Sequence, residues 1–260
     1  MKRETGSGKF DWDLLKRVSR SFYLTLRLLP GPVRAPISLG YLLARLSDTE
    51  VDGAVTAAER ELLERRAEIE VWLALSPDRA EITKVWKTIQ EGQRFDGERF
   101  GRDGYPNHPL SPEELDRYTY LVAGCVGEFW TDICAKKLPG FSLRPLEEMK
   151  ALGIRFGQGL QLVNILRDRQ ADAKLGRIYV PQERFSGVMA LAHEHLHAAE
   201  IYARAIRNRR LRAACALPLL MGRETLVLIE DDPGAMRTKI PRARVWMLFG
   251  VALFFRQGAH

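Results

Sequence analysis

With 260 residues and 29.6 kDa, the chain is long enough to bury a large core, as one large domain or two small ones. Its hydrophobic share of 46% excludes a disordered chain and does not by itself mark a membrane protein. A net charge of +7 and a pI near 9.4 favour anionic partners. The basic residues are interleaved with acidic ones, as in Ala58-Glu-Arg-Glu-Leu-Leu-Glu-Arg-Arg66, the pattern of a solvated helix face, which argues against nucleic acid.

Helical periodicity runs through residues 11–29 (Leu14, Leu15, Val18, Phe22, Leu26, Leu29) and is ended or bent by Pro30-Gly31-Pro32. A second helix is predicted from about Val33 to Asp52, and a charged amphipathic one over 56–74. Ser76-Pro77-Asp78 starts another that reaches about Arg94. Residues 96–112, rich in glycine and proline, read as a loop. Ser111-Pro-Glu-Glu114 is a strong helix start, with serine as N-cap, proline at the first position and glutamate closing a capping box. The helix it opens carries Gly124 and Gly127, each costing about 1 kcal/mol against alanine unless another helix or a ligand must come close. Pro139-Gly140 breaks the chain before a helix beginning near Leu146. Further helices are expected over 190–230 and 240–256, separated by Asp231-Asp-Pro-Gly234. No stretch shows sustained strand alternation, so the expected architecture is all-α, a single helical domain over 1–260.

The three cysteines, Cys125, Cys134 and Cys215, have neither disulfide nor zinc spacing, and His193, His195 and His197 fall on an expected surface helix. The polar N-terminus has no apolar signal core, so a cytoplasmic protein is expected. Val245 to Phe255, the longest apolar stretch, is too short to span a bilayer; it would line an internal tunnel or rest on the inner face of a membrane.

Two stripes carry the chemistry. In a helix, Gln161, Asn164, Asp168 and Asp172 are spaced by three, four and four, one row of amides and carboxylates among Leu160, Val163, Ile165 and Leu166. Such a row is costly among apolar residues unless something occupies it. Asp48 and Asp52, with Arg45 and Tyr41 toward the N-terminus, form the second stripe. Facing each other, the two would grip Mg²⁺, which prefers a carboxylate or two plus substrate oxygens. Metal-bound diphosphate is a good leaving group, and apolar walls would shelter the carbocation it leaves behind.

In Ser19-Arg-Ser21-Phe22-Tyr23, Tyr41 to Asp52, Tyr118 to Gly127, Gln161 to Asp172 and Gly176-Arg177-Ile-Tyr179-Val-Pro181, the chain resembles the squalene and phytoene synthases, head-to-head prenyltransferases of the isoprenoid synthase fold. The resemblance covers about residues 14–182 with these motifs. It implies that Asp48, Asp52, Asn164, Asp168 and Asp172 hold Mg²⁺-bridged diphosphate, with Gln161 alongside. Ser19, Ser21, Phe22, Tyr41, Arg45, Arg167 and Arg177 are implied to contact substrate or hold those contacts. Tyr118 is implied to stand near the developing cation and the released diphosphate. The implied reaction joins two farnesyl diphosphates through presqualene diphosphate to squalene, with NADPH supplying hydride; phytoene and dehydrosqualene synthases need no reductant. Two auxiliary acids of the family pattern depart from it: Val51 stands where it carries glutamate, with Glu50 one residue early, and Ala171 stands where it carries a second glutamate. A presqualene diphosphate half-reaction, a one-substrate terpene cyclase and an inactive assembly homologue are the competing readings. Residues 216–226 and 239–245 lean toward squalene synthases. A prenyl diphosphate is the expected partner and a monomer the expected state.

Overall fold

The computed structural model describes residues 10–19, 22–53, 55–101, 108–236 and 238–258, the side chain of Asp52 excepted. Twelve α-helices order them: α1 Trp12–Ser19, α2 Phe22–Leu28, α3 Gly31–Asp52, α4 Ala57–Glu64, α5 Arg66–Leu75, α6 Arg79–Phe100, α7 Pro112–Thr119, α8 Cys125–Lys137, α9 Leu146–Lys174, α10 Phe185–Ala205, α11 Arg209–Asp231 and α12 Arg242–Leu253. Among the described residues there is no strand, only an isolated bridge between Ser142 and Ile206. The expected all-α architecture is therefore observed.

Local signals place most helix starts. Thr56 and Glu59 close a capping box on α4, and Ser111 and Glu114 close another on α7, each satisfying backbone N–H groups that the first turn leaves free. The helix expected over 56–74 is divided into α4 and α5, which meet at Arg65. There the Arg65 guanidinium ties Asp11 (2.6 Å) and Glu68 (2.8 Å) across the junction. The segment after Arg94 corrects the expected loop, because α6 continues to Phe100. Tertiary contacts override the glycines: Phe95 stacks on Tyr118, Asp96 accepts from Tyr179, and Arg99 donates to the carbonyls of His108 and Pro109.

The 29-residue α9 is the axis, packed against α8, α10 and α11. Its crossing with α8 is a backbone-to-backbone approach. A Cβ on Gly127 would lie 1.8 Å from the Gly153 carbonyl oxygen, and one on Gly157 would lie 2.0 Å from that of Ala123. The cost of glycine inside these helices is thus the condition for their contact, and it is another helix that comes close. Between α7 and α8 the chain takes a π-helical turn, Tyr120–Gly124, where Val122 and Ala123 reach a central cavity.

His195 departs from the surface position expected of it. It is 8% exposed, with Gly159 of α9 against it, and burial holds its imidazole pKa down. His193 is exposed and pairs with Glu230 at 2.9 Å. The three cysteines are free and buried.

Candidate active site

Helices α2, α3, α6, α8, α9 and α11 enclose a cavity of about 770 Å³. Its walls are chiefly apolar and aromatic, with Ile37, Val85, Ile89, Phe129, Trp130 and Phe156 among them. One end is polar: Tyr41, Arg45 and Asp48 of α3 and Gln161, Asn164, Arg167 and Asp168 of α9 line the same space. The two stripes read from the sequence therefore meet across one cavity. Asp172 continues the α9 stripe by one turn, half-buried, and Arg177 arrives from the turn after α9, its backbone N–H donating to the Asp172 carbonyl at 2.9 Å.

The charged groups are held by one another. Asp48 accepts from Gln93 Nε2 at 2.6 Å and from Arg45 at 3.4 Å. Arg45 in turn donates to Glu59 at 2.9 Å, so the glutamate that caps α4 also fixes an arginine of the cavity. Arg167 folds onto its neighbour Asp168, with Nε–Oδ1 at 3.1 Å and Nη2–Oδ2 at 2.5 Å. Gln161 accepts from Asn164 at 3.3 Å. Burial first, and then the negative charge of Asp168, push the Asp172 carboxyl up to about 6, with Asp96 adding to the effect and Arg177 opposing it.

That clustering is the fit to a hard divalent cation: oxygen donors only, and like charges whose mutual cost a cation would relieve. Among the described residues no three His, Cys, Asp or Glu side chains converge closely enough to cage a metal alone. An Mg²⁺ site completed by waters and diphosphate oxygens needs no such cage. The one displaced acid does not return to the cavity. Glu50 is bound by Arg66 at 2.5 Å, and Val51 lines the mouth with an apolar side chain.

Tyr118 is 8% exposed and stacked between Phe95 (centroids 6.1 Å) and Tyr179 (5.3 Å). Burial and the charge of Asp96 raise its pKa, so it is a neutral phenol at physiological pH. Phe22 lines the cavity and stacks on Tyr41 at 5.0 Å. Ser19, implied to contact substrate or to hold such contacts, does not line the cavity. It is 2% exposed, and its hydroxyl donates to the Leu15 carbonyl of its own helix. Ser21 and the side chain of Asp52 lie outside the described residues.

Sequence reasoning missed the contribution of α6. Val85, Ile89, Gln93 and Asp96 all line the cavity and are spaced by four, four and three, the same stripe logic as in α9. Asp96 accepts a 2.5 Å hydrogen bond from Tyr179 and lies 3.8 Å from Arg177. The signal was present, but reading 96–112 as a loop cut the stripe before its last member. None of α12 lines the cavity among the described residues, so the tunnel role expected for 245–255 is not seen.

Residues 15–188 match the family model described as squalene/phytoene synthase. The chain is 30% identical over 189 residues to a phytoene synthase of Thermus thermophilus, covering 66% of this chain and 59% of that protein. It is 32% identical over 194 residues to a 15-cis-phytoene synthase of Synechococcus elongatus, covering 65% and 59%. A bifunctional lycopene cyclase/phytoene synthase of Phaeosphaeria nodorum is 30% identical over 194 residues, covering 64% and 33%. The chain thus spans between about a third and three fifths of the length of these curated relatives. In fold it is similar to a ligand complex of TcSQS (TM-score 0.78, 20% identity, 93% and 84% covered) and to a dehydrosqualene synthase (0.72, 21%, 94% of each).

Proposed function

The chain belongs to the squalene/phytoene synthase family, and on that premise we propose that it couples two farnesyl diphosphates head to head, through presqualene diphosphate, to squalene. The observation that carries this reading is the meeting of the α3 and α9 stripes at the polar end of an apolar cavity of about 770 Å³. A diphosphate suits that end, and a long hydrocarbon suits the rest.

This chain's own residues would act by position and charge. Arg45, Arg167 and Arg177 would neutralise the diphosphate and the charge that grows on its departing oxygen. Asp48, Asp168 and Asp172, with Asn164 and the sequence position Asp52, would hold Mg²⁺, which supplies Lewis-acid stabilisation of the leaving group. Gln93 would orient Asp48, the residue it already donates to. Tyr118 and Tyr179, which line the cavity, would stand beside an allylic cation, and the Tyr118 hydroxyl can donate to released diphosphate. Walls such as Ile89, Phe129 and Phe156 would keep water from quenching the cation.

A second reading has comparable support: the curated relatives named above are phytoene synthases or contain one. Under it the substrates are C20 diphosphates, the final cation loses a proton, and no reductant is used. Squalene formation instead requires a hydride donor such as NADPH. Purified protein incubated with C15 or C20 diphosphate and Mg²⁺, with and without NADPH, separates these cases by product mass. A C30 hydrocarbon formed only with NADPH supports the first reading, and a C40 product supports the second. Accumulated presqualene diphosphate indicates the half-reaction alone. A C15 hydrocarbon refutes head-to-head coupling, and no diphosphate release from any prenyl diphosphate favours the inactive homologue.

A further inference from the structure

We propose that the outward face of α12 docks the protein on the surface of an anionic lipid bilayer. α12 is apolar nearly all round after its first turn (Val-Trp-Met-Leu-Phe-Gly-Val-Ala-Leu), yet the fold covers only one side of it. Leu248 and Ala252 are buried against Ala216 and Leu217 of α11 in a small cluster of their own. On the opposite side Trp246, Met247, Val251, Leu253 and Phe254 are exposed, Trp246 by 61% and Phe254 by 78%. At about 100° per residue these five fall within roughly 160° of arc, centred opposite the buried pair. An all-apolar helix with one side on protein calls for a second apolar phase on the other.

The orientation is pinned. Arg244 makes two hydrogen bonds to Glu224 of α11 at 2.7 and 2.8 Å, and Arg212 donates to the Phe255 carbonyl at 2.9 Å. The Arg204 guanidinium lies over the Phe255 ring at 5.1 Å. Both ends of α12 are thus tied to the bundle, and the aromatic face cannot roll inward without breaking these ties.

Charge selects the lipid. From Ala235 to His260 the chain has no acidic residue, and it carries Arg237, Lys239, Arg242, Arg244 and Arg256. Lys239, Arg242 and Arg256 are exposed at the two ends of the apolar face. Cations bracketing an apolar helix suit anionic headgroups, with Trp246 at the headgroup level and Phe254 below it. Asp231 and Asp232 lie two helical turns past Glu224, about 10 Å beyond its pairing with Arg244.

Size argues against a second copy of the chain. Twelve residues make a face about 18 Å long and 10 Å wide, roughly 180 Å². A stable dimer needs about 800 Å² from each partner. A single interfacial helix is nevertheless sufficient for reversible adsorption. No helix among the described residues is long and apolar enough to cross a membrane, so the association would be peripheral.

Flotation of the intact protein with vesicles of phosphatidylglycerol and phosphatidylcholine, against pure phosphatidylcholine, tests the proposal. The expected result is flotation with the anionic vesicles at low salt and its loss at about 1 M salt, where the screening length is about 3 Å. Binding by Trp246→Glu/Phe254→Glu should be weaker by at least about tenfold. Both side chains are exposed, so that variant should melt like the wild type. Lys239→Glu/Arg242→Glu leaves the apolar face intact and should also weaken binding to the anionic vesicles. Wild-type protein that does not float, or a Trp246→Glu/Phe254→Glu variant that floats equally well, overturns the proposal. So does a dimer, seen by light scattering without vesicle binding, that the same variant dissociates.

Discussion

Gly127→Ala should destabilise the protein, although alanine is the better helix former. On propensity alone the change would stabilise α8 by about 1 kcal/mol. The added methyl, however, would meet the Gly153 carbonyl oxygen at 1.8 Å, where ordinary contact begins at 3.4 Å. The obstacle is backbone and cannot turn aside, so α8 and α9 must part by more than about 1 Å. The carbonyl of Gly127 also accepts from Thr131 at 2.8 Å, which ties the neighbouring turn into the displacement. Overpacking of this kind costs about 3 kcal/mol, leaving a net loss near 2 kcal/mol, or roughly 4–8 °C in Tm. Gly97→Ala is the control: it lies within α6 with nothing within 4 Å of the new methyl, and should hold or raise Tm. Thermal unfolding by circular dichroism measures both. A Gly127→Ala protein that melts at or above the wild-type temperature would refute the helix crossing. Because Val126, Trp130 and Phe156 flank that crossing and line the cavity, activity should fall even below the melting range.

Three further outcomes are expected. Asp168→Asn should lower diphosphate release on the order of a hundredfold or more while leaving the circular dichroism spectrum unchanged; wild-type turnover would remove Asp168 from the metal clamp. Asp172 is an acid whose pKa rises on folding, from 3.8 to about 6, so the folded state binds the extra proton and stability falls as pH climbs through that interval. In metal-free buffer Asp172→Asn should therefore raise Tm above about pH 7, with the gain vanishing below about pH 4; a gain independent of pH would contradict the assignment. Tyr202→Phe removes the buried hydroxyl that lies 2.9 Å from Thr131 Oγ1, and should cost about 1–2 kcal/mol in denaturant unfolding.

The helices of the site were legible because two simple codes mark them. Capping residues such as Ser111 with Glu114 announce where a helix begins, and apolar periodicity shows how it continues. The polar stripe of α9 and its counterpart in α3 were visible by the same spacing, since a row of acids at steps of three and four must share one helix face. Misreadings occurred where distant partners set the local conformation. Phe95, Asp96 and Arg99 hold the end of α6 helical through Tyr118, Tyr179 and the carbonyls of His108 and Pro109, none of which a local window contains. Ser19 carried the right residue type, but its hydroxyl is spent on the helix that contains it.

The sequence by itself determined that the protein is all-α and that two acid-bearing helices stand ready for a shared ligand. Side-chain periodicity and capping act over a few residues and need no knowledge of the rest of the chain. Only the tertiary structure decided that α6 completes the site with Gln93 and Asp96, and that Glu59 steadies Arg45 from the start of another helix. It also decided that Glu50 turns away to Arg66, so the acid displaced in sequence does not rejoin the cavity. The two stripes of Asp48 and Asp168 lie more than a hundred residues apart, and their meeting depends on how closely α8 can approach α9. That distance is set by glycine against glycine at the crossing, a contact that no local pattern encodes.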